Sequence, residues 1–361
     1  MDQVVGRQSI AGAAQPSGDR SARAKLATGA LILLLALASI AALAIGPSDT
    51  SLWRATGRLL TGGELSLLES TVLLDIRLPR LAMGLLVGAA LAMSGVAMQG
   101  LFRNPLADPG LVGVSAGASF GAVTAIVMGA AVPSAIGLAA GNMLVPLAAF
   151  VGGFLTTILL YRVATRQGKT SVAIMLLAGI ALQALTLALT GIFIFMADDS
   201  QLRDITFWNL GSLAGATWPK FLAALPFAAL AMLIAPLLAR GLNALALGES
   251  AAAHLGIAVQ RLKFTAVFVV ALATGAAVAV SGGIGFIGIV VPHLLRISTG
   301  PDHRFLFVNA GLLGGVLLVA ADTVARTIVS PAELPIGILT AMIGGPVFIW
   351  ILMRNRSLLG I

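Results

Sequence analysis

The chain has no cysteine in its 361 residues. That excludes a disulfide framework and thiolate metal sites. Charge is scarce too: 10% of residues are Asp, Glu, Lys or Arg, where a soluble domain carries about 25%. Apolar residues make up 58% of the chain, and its mean hydropathy is +1.02. No soluble fold of this size buries so much apolar surface, so the excess must face lipid. A crossing of the hydrocarbon core takes about 20 apolar residues, which leaves room for roughly ten crossings.

Further absences narrow the function. Acidic residues are nearly missing from the apolar runs, with Asp322 the nearest exception. An ion-driven secondary transporter normally needs ionisable groups there. The three histidines, His254, His293 and His303, are scattered and lack ligand spacing. No Ser/His/Asp set converges, so a membrane-embedded enzyme has no support. Residues 166–170 (Arg-Gln-Gly-Lys-Thr) echo the end of a phosphate-binding loop, but the required earlier glycine is Val163. They read as a basic loop, so this chain is not expected to bind ATP.

Apolar runs lie at about 27–46, 80–100, 111–130, 142–163, 172–196, 219–240, 262–281, 284–297, 305–323 and 336–354. Only helices or closed barrels satisfy their backbone in lipid, and runs this long are not barrel strands. The expected fold is all-α: a polytopic bundle of about ten transmembrane helices. The expected organisation is a cytoplasmic, disordered tail over 1–26, one transmembrane domain over 27–356, and a cytoplasmic tail over 357–361. The net charge of +8 sits in short loops, and most Lys and Arg fall on the side that holds both termini if the termini are cytoplasmic. Arg54, Arg58, Arg77 and Arg80 depart from that bias, because they share the outer loop before the second span. Small-xxx-small pairs such as Gly84/Gly88, Gly113/Gly117/Gly121, Gly211/Gly215 and Gly311/Gly315 point to close helix packing.

Four segments carry chemistry. Residues 76–80 (Ile-Arg-Leu-Pro-Arg) hold Arg77 and Arg80 around a proline at the outer end of the second span. The guanidinium groups, expected at the surface, suit bidentate carboxylate pairing; by chemistry alone, snorkelling interface anchors fit better. Residues 99–117 contain two prolines that force a break at about 104–110. Irregular backbone at membrane depth needs a protein- or water-lined setting, so Asn104, Pro105, Asp108, Pro109, Ser115 and Gly117 are candidates to line a path; an ordinary turn is the alternative. Residues 245–257 are too polar to cross. Ser250 is a candidate cap and Gly256 a stop for a short helix, which would dock into a partner's groove or rest on the membrane. Residues 281–296 form a second glycine-dense interrupted segment, adding Gly283 and Gly285 to the path candidates. Its companions are residues 321–326, which end in Arg326, and residues 333–337, at the outer ends of the last two spans.

In this order the four segments closely resemble the FecCD-type family of ABC importer permeases for iron–siderophores, heme or cobalamin, over about residues 27 to 356. The resemblance implies a homodimer with a central path, two cytoplasmic ATPase subunits, a periplasmic binding protein and a bacterial inner-membrane location. It implies that Leu247, Gly248, Glu249, Ser250, Ala253, His254, Leu255 and Gly256 form the ATPase coupling helix. It also implies that Arg77, Arg80 and Arg326 meet acidic residues of the binding protein. ATP would be used by the partner, and no resident cofactor or metal is expected. Residues 207–218 and 242–249 look most like heme-importer permeases.

Overall fold

The computed structural model describes residues 20–48, 50–129 and 141–354. Most of the 1–26 tail and all of 357–361 lie outside the described residues.

The described chain is helical apart from one small hairpin. Its elements are α1 (Ser21–Ala44), α2 (Leu52–Leu60), α3 (Leu67–Phe102), α4 (Val114–Met128), α5 (Leu144–Ala164), the strands β1 (Thr165–Arg166) and β2 (Lys169–Thr170), α6 (Val172–Met196) and α7 (Asp199–Leu210). There follow α8 (Trp218–Leu245), α9 (Glu249–His254), α10 (Val259–Ser281), α11 (Ile287–Thr299), α12 (His303–Ala325) and α13 (Ile336–Arg354). Helices α1, α3, α5, α6, α8, α10 and α12 are long and apolar enough to cross a membrane; α4, α11 and α13 are shorter apolar helices. Each of the ten expected runs coincides with one of these helices. The first starts earlier than expected, at Ser21, so the end of the predicted tail is helical.

Burial sorts the helices into an inner and an outer set. The spanning windows of α3 and α10 are 83% and 78% buried, against 11% for α1 and 17% for α6. Helix α3 is therefore the axis, packed by α10, α11 and α12. Helices α4 and α5 pair closely beside it. The contacts with α12 and α11 depend on glycine. A methyl group on Gly88 would overlap the Gly314 carbonyl, and one on Gly95 the Gly288 carbonyl. Backbones that approach this closely gain dispersion contacts in lipid, where the hydrophobic effect between helices is absent.

Helix α3 begins well before the apolar run that announced it. Its first part includes a π-helical stretch, Thr71–Arg77, in which Leu78 N–H bonds to the Leu73 carbonyl five residues back. Pro79 follows directly. Proline removes one backbone donor and clashes with the carbonyl four residues earlier, and the wider π turn relieves that crowding.

Candidate functional site

The two interrupted segments meet. Arg103 enters the left-handed region (φ 50°) and ends α3. A 3-10 turn, Pro109–Val112, then leads through Gly113 (φ 78°) into α4. Asp108 caps that turn, its Oδ1 accepting from Gly110 N–H at 2.7 Å. The second break runs from Gly282 to Phe286, and Phe286 itself is left-handed (φ 69°).

Between the two breaks lies a half-open cavity of about 270 Å³. Of the expected path residues it gathers Asp108, Pro109, Ser115, Gly283 and Gly285. Asn104, Pro105 and Gly117 are not in its lining. The Asn104 carboxamide closes a local turn by accepting from Leu106 N–H at 2.9 Å, and Pro105 is exposed beside it. Gly117 is a packing residue, where any side chain would strike the Gly152 carbonyl and Thr156. Thr274 of α10 and Phe286 also line the cavity. Thr274 was invisible in the sequence because the part of α10 around it is apolar on all sides, so periodicity does not single out a face.

The arginines are not where the sequence led us to expect them. Arg77, Arg80 and Arg326 are 3%, 6% and 4% exposed, which corrects the expectation of guanidinium groups held at the surface. Arg80 donates from Nε and Nη2 to Asp322 at 2.9–3.0 Å and from Nη1 to both oxygens of Glu333 at 2.9 Å. Arg77 donates to the carbonyls of Leu43 (2.6 Å) and Thr50 (3.3 Å) and to Ser48 Oγ (2.9 Å). Arg326 reaches the Ala42 carbonyl and lies 3.9 Å from Asp322. Two cations thus satisfy the last carbonyls of α1 and oppose the negative end of its dipole. Glu333 is the accessible member of the cluster, with its side chain 32% exposed.

The polar connection between α8 and α10 folds as a short helix, α9. Its cap is Gly248 (φ 107°) and not Ser250, which sits inside the first turn. Gly256 (φ 80°) ends it, as expected. Ala252 is buried and anchors it, while Leu247, Glu249, Ser250, Ala253, His254 and Leu255 are exposed. The hairpin formed by β1 and β2 turns at Gln167 and Gly168, both with positive φ, the geometry of a tight two-residue turn. The lysine-bearing motif is therefore a hairpin, without the strand-to-helix context of a phosphate loop. His303 Nδ1 lies 2.7 Å from Asn243 Oδ1. Among the described residues no three His, Asp or Glu side chains cluster as a metal site would.

The family model of the FecCD transport family matches residues 33–354. The chain belongs to the FecCD transport family. It is 42% identical over 333 residues to the hemin transport system permease protein HmuU of Yersinia pestis, covering 92% of this chain and 97% of that one. It is 39% identical over 327 residues to the Fe(3+) dicitrate transport system permease protein FecD of Escherichia coli K12, covering 90% and 98%. It is 40% identical over 293 residues to the vitamin B12 import system permease protein BtuC of Vibrio cholerae, covering 81% and 86%. A solved metal-chelate type ABC transporter in an inward-facing conformation superposes with a TM-score of 0.79 at 33% identity, covering 91% of this chain and 99% of that one. As a FecCD-family member the chain is a multi-pass membrane permease of the ABC importer type.

Proposed function

We propose that the chain is the membrane subunit of an inner-membrane importer for heme, working as a homodimer with two cytoplasmic ATPase subunits and a periplasmic binding protein. The observation that carries this reading is the 42% identity to the Yersinia pestis hemin permease along nearly the whole of both chains. The shape of the molecule supports it. A cavity of about 270 Å³ that is open on one side falls below the usual ~300–1,000 Å³ of a small-molecule site; a second copy facing it would complete a path of useful width. The exposed Leu247 and Leu255 flank the short helix α9, which suits a groove in an ATPase. The chain itself performs no hydrolysis and holds no cofactor; ATP turnover in the partner drives access from one side to the other. Both termini lie in the cytoplasm, by the distribution of Lys and Arg.

Docking of the binding protein falls on the outer ends of α1, α3 and α12. Arg80 offers paired donors to a carboxylate, and Glu333 holds part of that site from within the chain. A partner carboxylate would take the place of Glu333, while Arg77 and Arg326 fix the end of α1 beneath it. Lysine at position 80 keeps the charge but loses the bidentate geometry. Arg80→Lys should therefore weaken binding-protein affinity about tenfold, since charge-assisted pairs are worth about 1.5–3 kcal/mol; unchanged affinity in a titration on nanodiscs would remove the docking role.

Cobalamin or ferric dicitrate is the second reading, favoured by the 40% and 39% identities to BtuC and FecD. Proteoliposomes holding the chain, its ATPase and its binding protein separate the three. Uptake of hemin, with none of cobalamin or ferric dicitrate, is the expected result. Hemin uptake by the chain alone, without ATP, would overturn the importer reading.

A further inference from the structure

Lys263, in the second turn of α10, heads the largest fully buried side chains among the described residues, at 1% exposure. Its ammonium has two acceptors from two other elements. Glu249 Oε1, at the start of α9, lies 2.7 Å away, and the Thr170 carbonyl, at the end of β2, also lies 2.7 Å away. A second tether runs in parallel: Thr170 N–H donates to Gln260 Oε1, also on α10, at 2.8 Å. Both backbone groups of Thr170 are thus bonded to side chains at the start of α10. The Thr170 hydroxyl lies 2.9 Å from Thr165 Oγ1, which closes the hairpin across its own strands.

A buried ammonium is tolerated only while its counter-charge and acceptors stay in place, and removing one strands the other. Displacing α9 alone would pull Glu249 off Lys263 and leave the buried ammonium without its counter-charge. Carrying the hairpin along avoids this. We infer that Lys263 is a positioning residue that transmits movement of α9 to the β1–β2 hairpin, so that α9, the start of α10 and the α5–α6 connection move as one body. This rests on the reading of α9 as the ATPase contact. It extends that reading by naming the link through which displacement at the contact reaches the connection between two spanning helices.

The chain lacks cysteine, so Lys169→Cys and Ala253→Cys, both at exposed positions, take nitroxide labels without removal of native thiols. The experiment uses the complete transporter with its ATPase and binding protein; assembly, ATP hydrolysis and uptake are read on chains without the added cysteines, because position 253 lies on the proposed ATPase contact, and the labelled chains serve the distance measurement alone. With Lys263 present, the 169–253 distance should be the same with and without ATP. Lys263→Met should keep assembly and ATP hydrolysis, make that distance broad and ATP-dependent, and lower hemin uptake per ATP about tenfold. Lys263→Arg, which retains a cation with several donors, should recover most of the uptake. Gln260→Met cuts the second tether without stranding a charge, so it tests the link even if Lys263→Met misfolds; it should shift both readouts in the same direction, but less. Uptake within about twofold of the parent, with an unchanged 169–253 distance in both tether variants, would overturn the inference. Cross-linking of the Ala253→Cys chain to the ATPase through its single thiol separates the two readings. If it fails while both tethers are intact, the contact and the link fall together; if it succeeds while the tether variants are silent, only the link falls.

Discussion

Every nitrogen of the Arg80 guanidinium donates to a carboxylate oxygen. Asp322 and Glu333 are not equivalent partners, because Asp322 is 4% exposed while the Glu333 side chain keeps access to solvent. Asp322→Ala leaves Arg80 and Arg326 without a shared buried anion, and breaking such a pair costs about 3–5 kcal/mol. Glu333→Gln removes a pair that water screens, worth about 1 kcal/mol or less. Thermal unfolding of the purified variants should show a large drop for the first and a small one for the second; equal effects would mean that burial does not set the hierarchy. The sequence marked Arg77, Arg80 and Arg326 as special but hid their partners, which lie up to 284 positions away and are joined only by the fold. Asp302 adds a pH dependence. Burial raises its carboxyl, but bonds from Arg304 and Asn243 outweigh that and hold it down at about 2. A carboxyl whose folded pKa lies below its unfolded value, about 3.9, stabilises the fold above that value and loses the contribution as pH falls toward 2. The difference in melting temperature between the parent and Asp302→Asn should therefore shrink between about pH 5 and pH 2 and stay constant above that window.

At the scale of elements, the tightest demands fall where α3 crosses α11 and α12. Gly95→Ala drives a methyl group into the Gly288 carbonyl, and Gly314→Ala drives one into the Gly88 carbonyl. Overpacking costs about 1–3 kcal/mol even where side chains yield, and a backbone carbonyl yields less. Gly29→Ala, at an exposed position on α1 with no atom within 4 Å of the added carbon, should be neutral or raise stability by about 0.5–1 kcal/mol through helix propensity. Fluorescence-detected gel filtration after heating ranks the three; loss of folded protein in Gly29→Ala alone would reverse the assignment. The existence of the ten apolar helices was legible, because long runs without charge have few other solutions in lipid. Their phase was not. The sequence pattern paired Gly311 with Gly315, and Gly88 does meet Gly315, but it also meets Gly314, while Gly311 packs on Met93 and Ala89 instead; a largely apolar helix carries little to mark its inner face. The beginning of α3 was misplaced for a related reason. The segment before Pro79 carries polar residues, which hid its helicity, and its π turn follows from the crowding a proline imposes on the turn before it.

At the scale of the whole molecule, packing is lopsided. Its buried axis, α3 and α10, stands beside a half-open cavity, and the exposed apolar residues of α5, α6 and α8 cover much of the rest. The cavity owes its walls to two breaks that lie far apart in the chain, so the sequence named residues on both breaks but not the α10 wall between them. Ser115 is the lining residue best placed to test whether this cavity is a route. It is exposed, small, and near the start of α4, and it borders the space shared by both breaks. Ser115→Cys introduces the only thiol in the chain. Modification of that thiol with a bulky maleimide fills a volume comparable to the cavity itself. If the cargo passes here, modification should lower hemin uptake about tenfold or more relative to the same variant left unmodified, because steric exclusion at a constriction acts on passage directly. ATP hydrolysis by the assembled complex should persist, since the label lies remote from α9 in the chain and leaves the α9–Lys263–hairpin unit intact. Uptake unaffected by complete labelling, verified by mass spectrometry, would place the route elsewhere and leave the two breaks with a purely structural role.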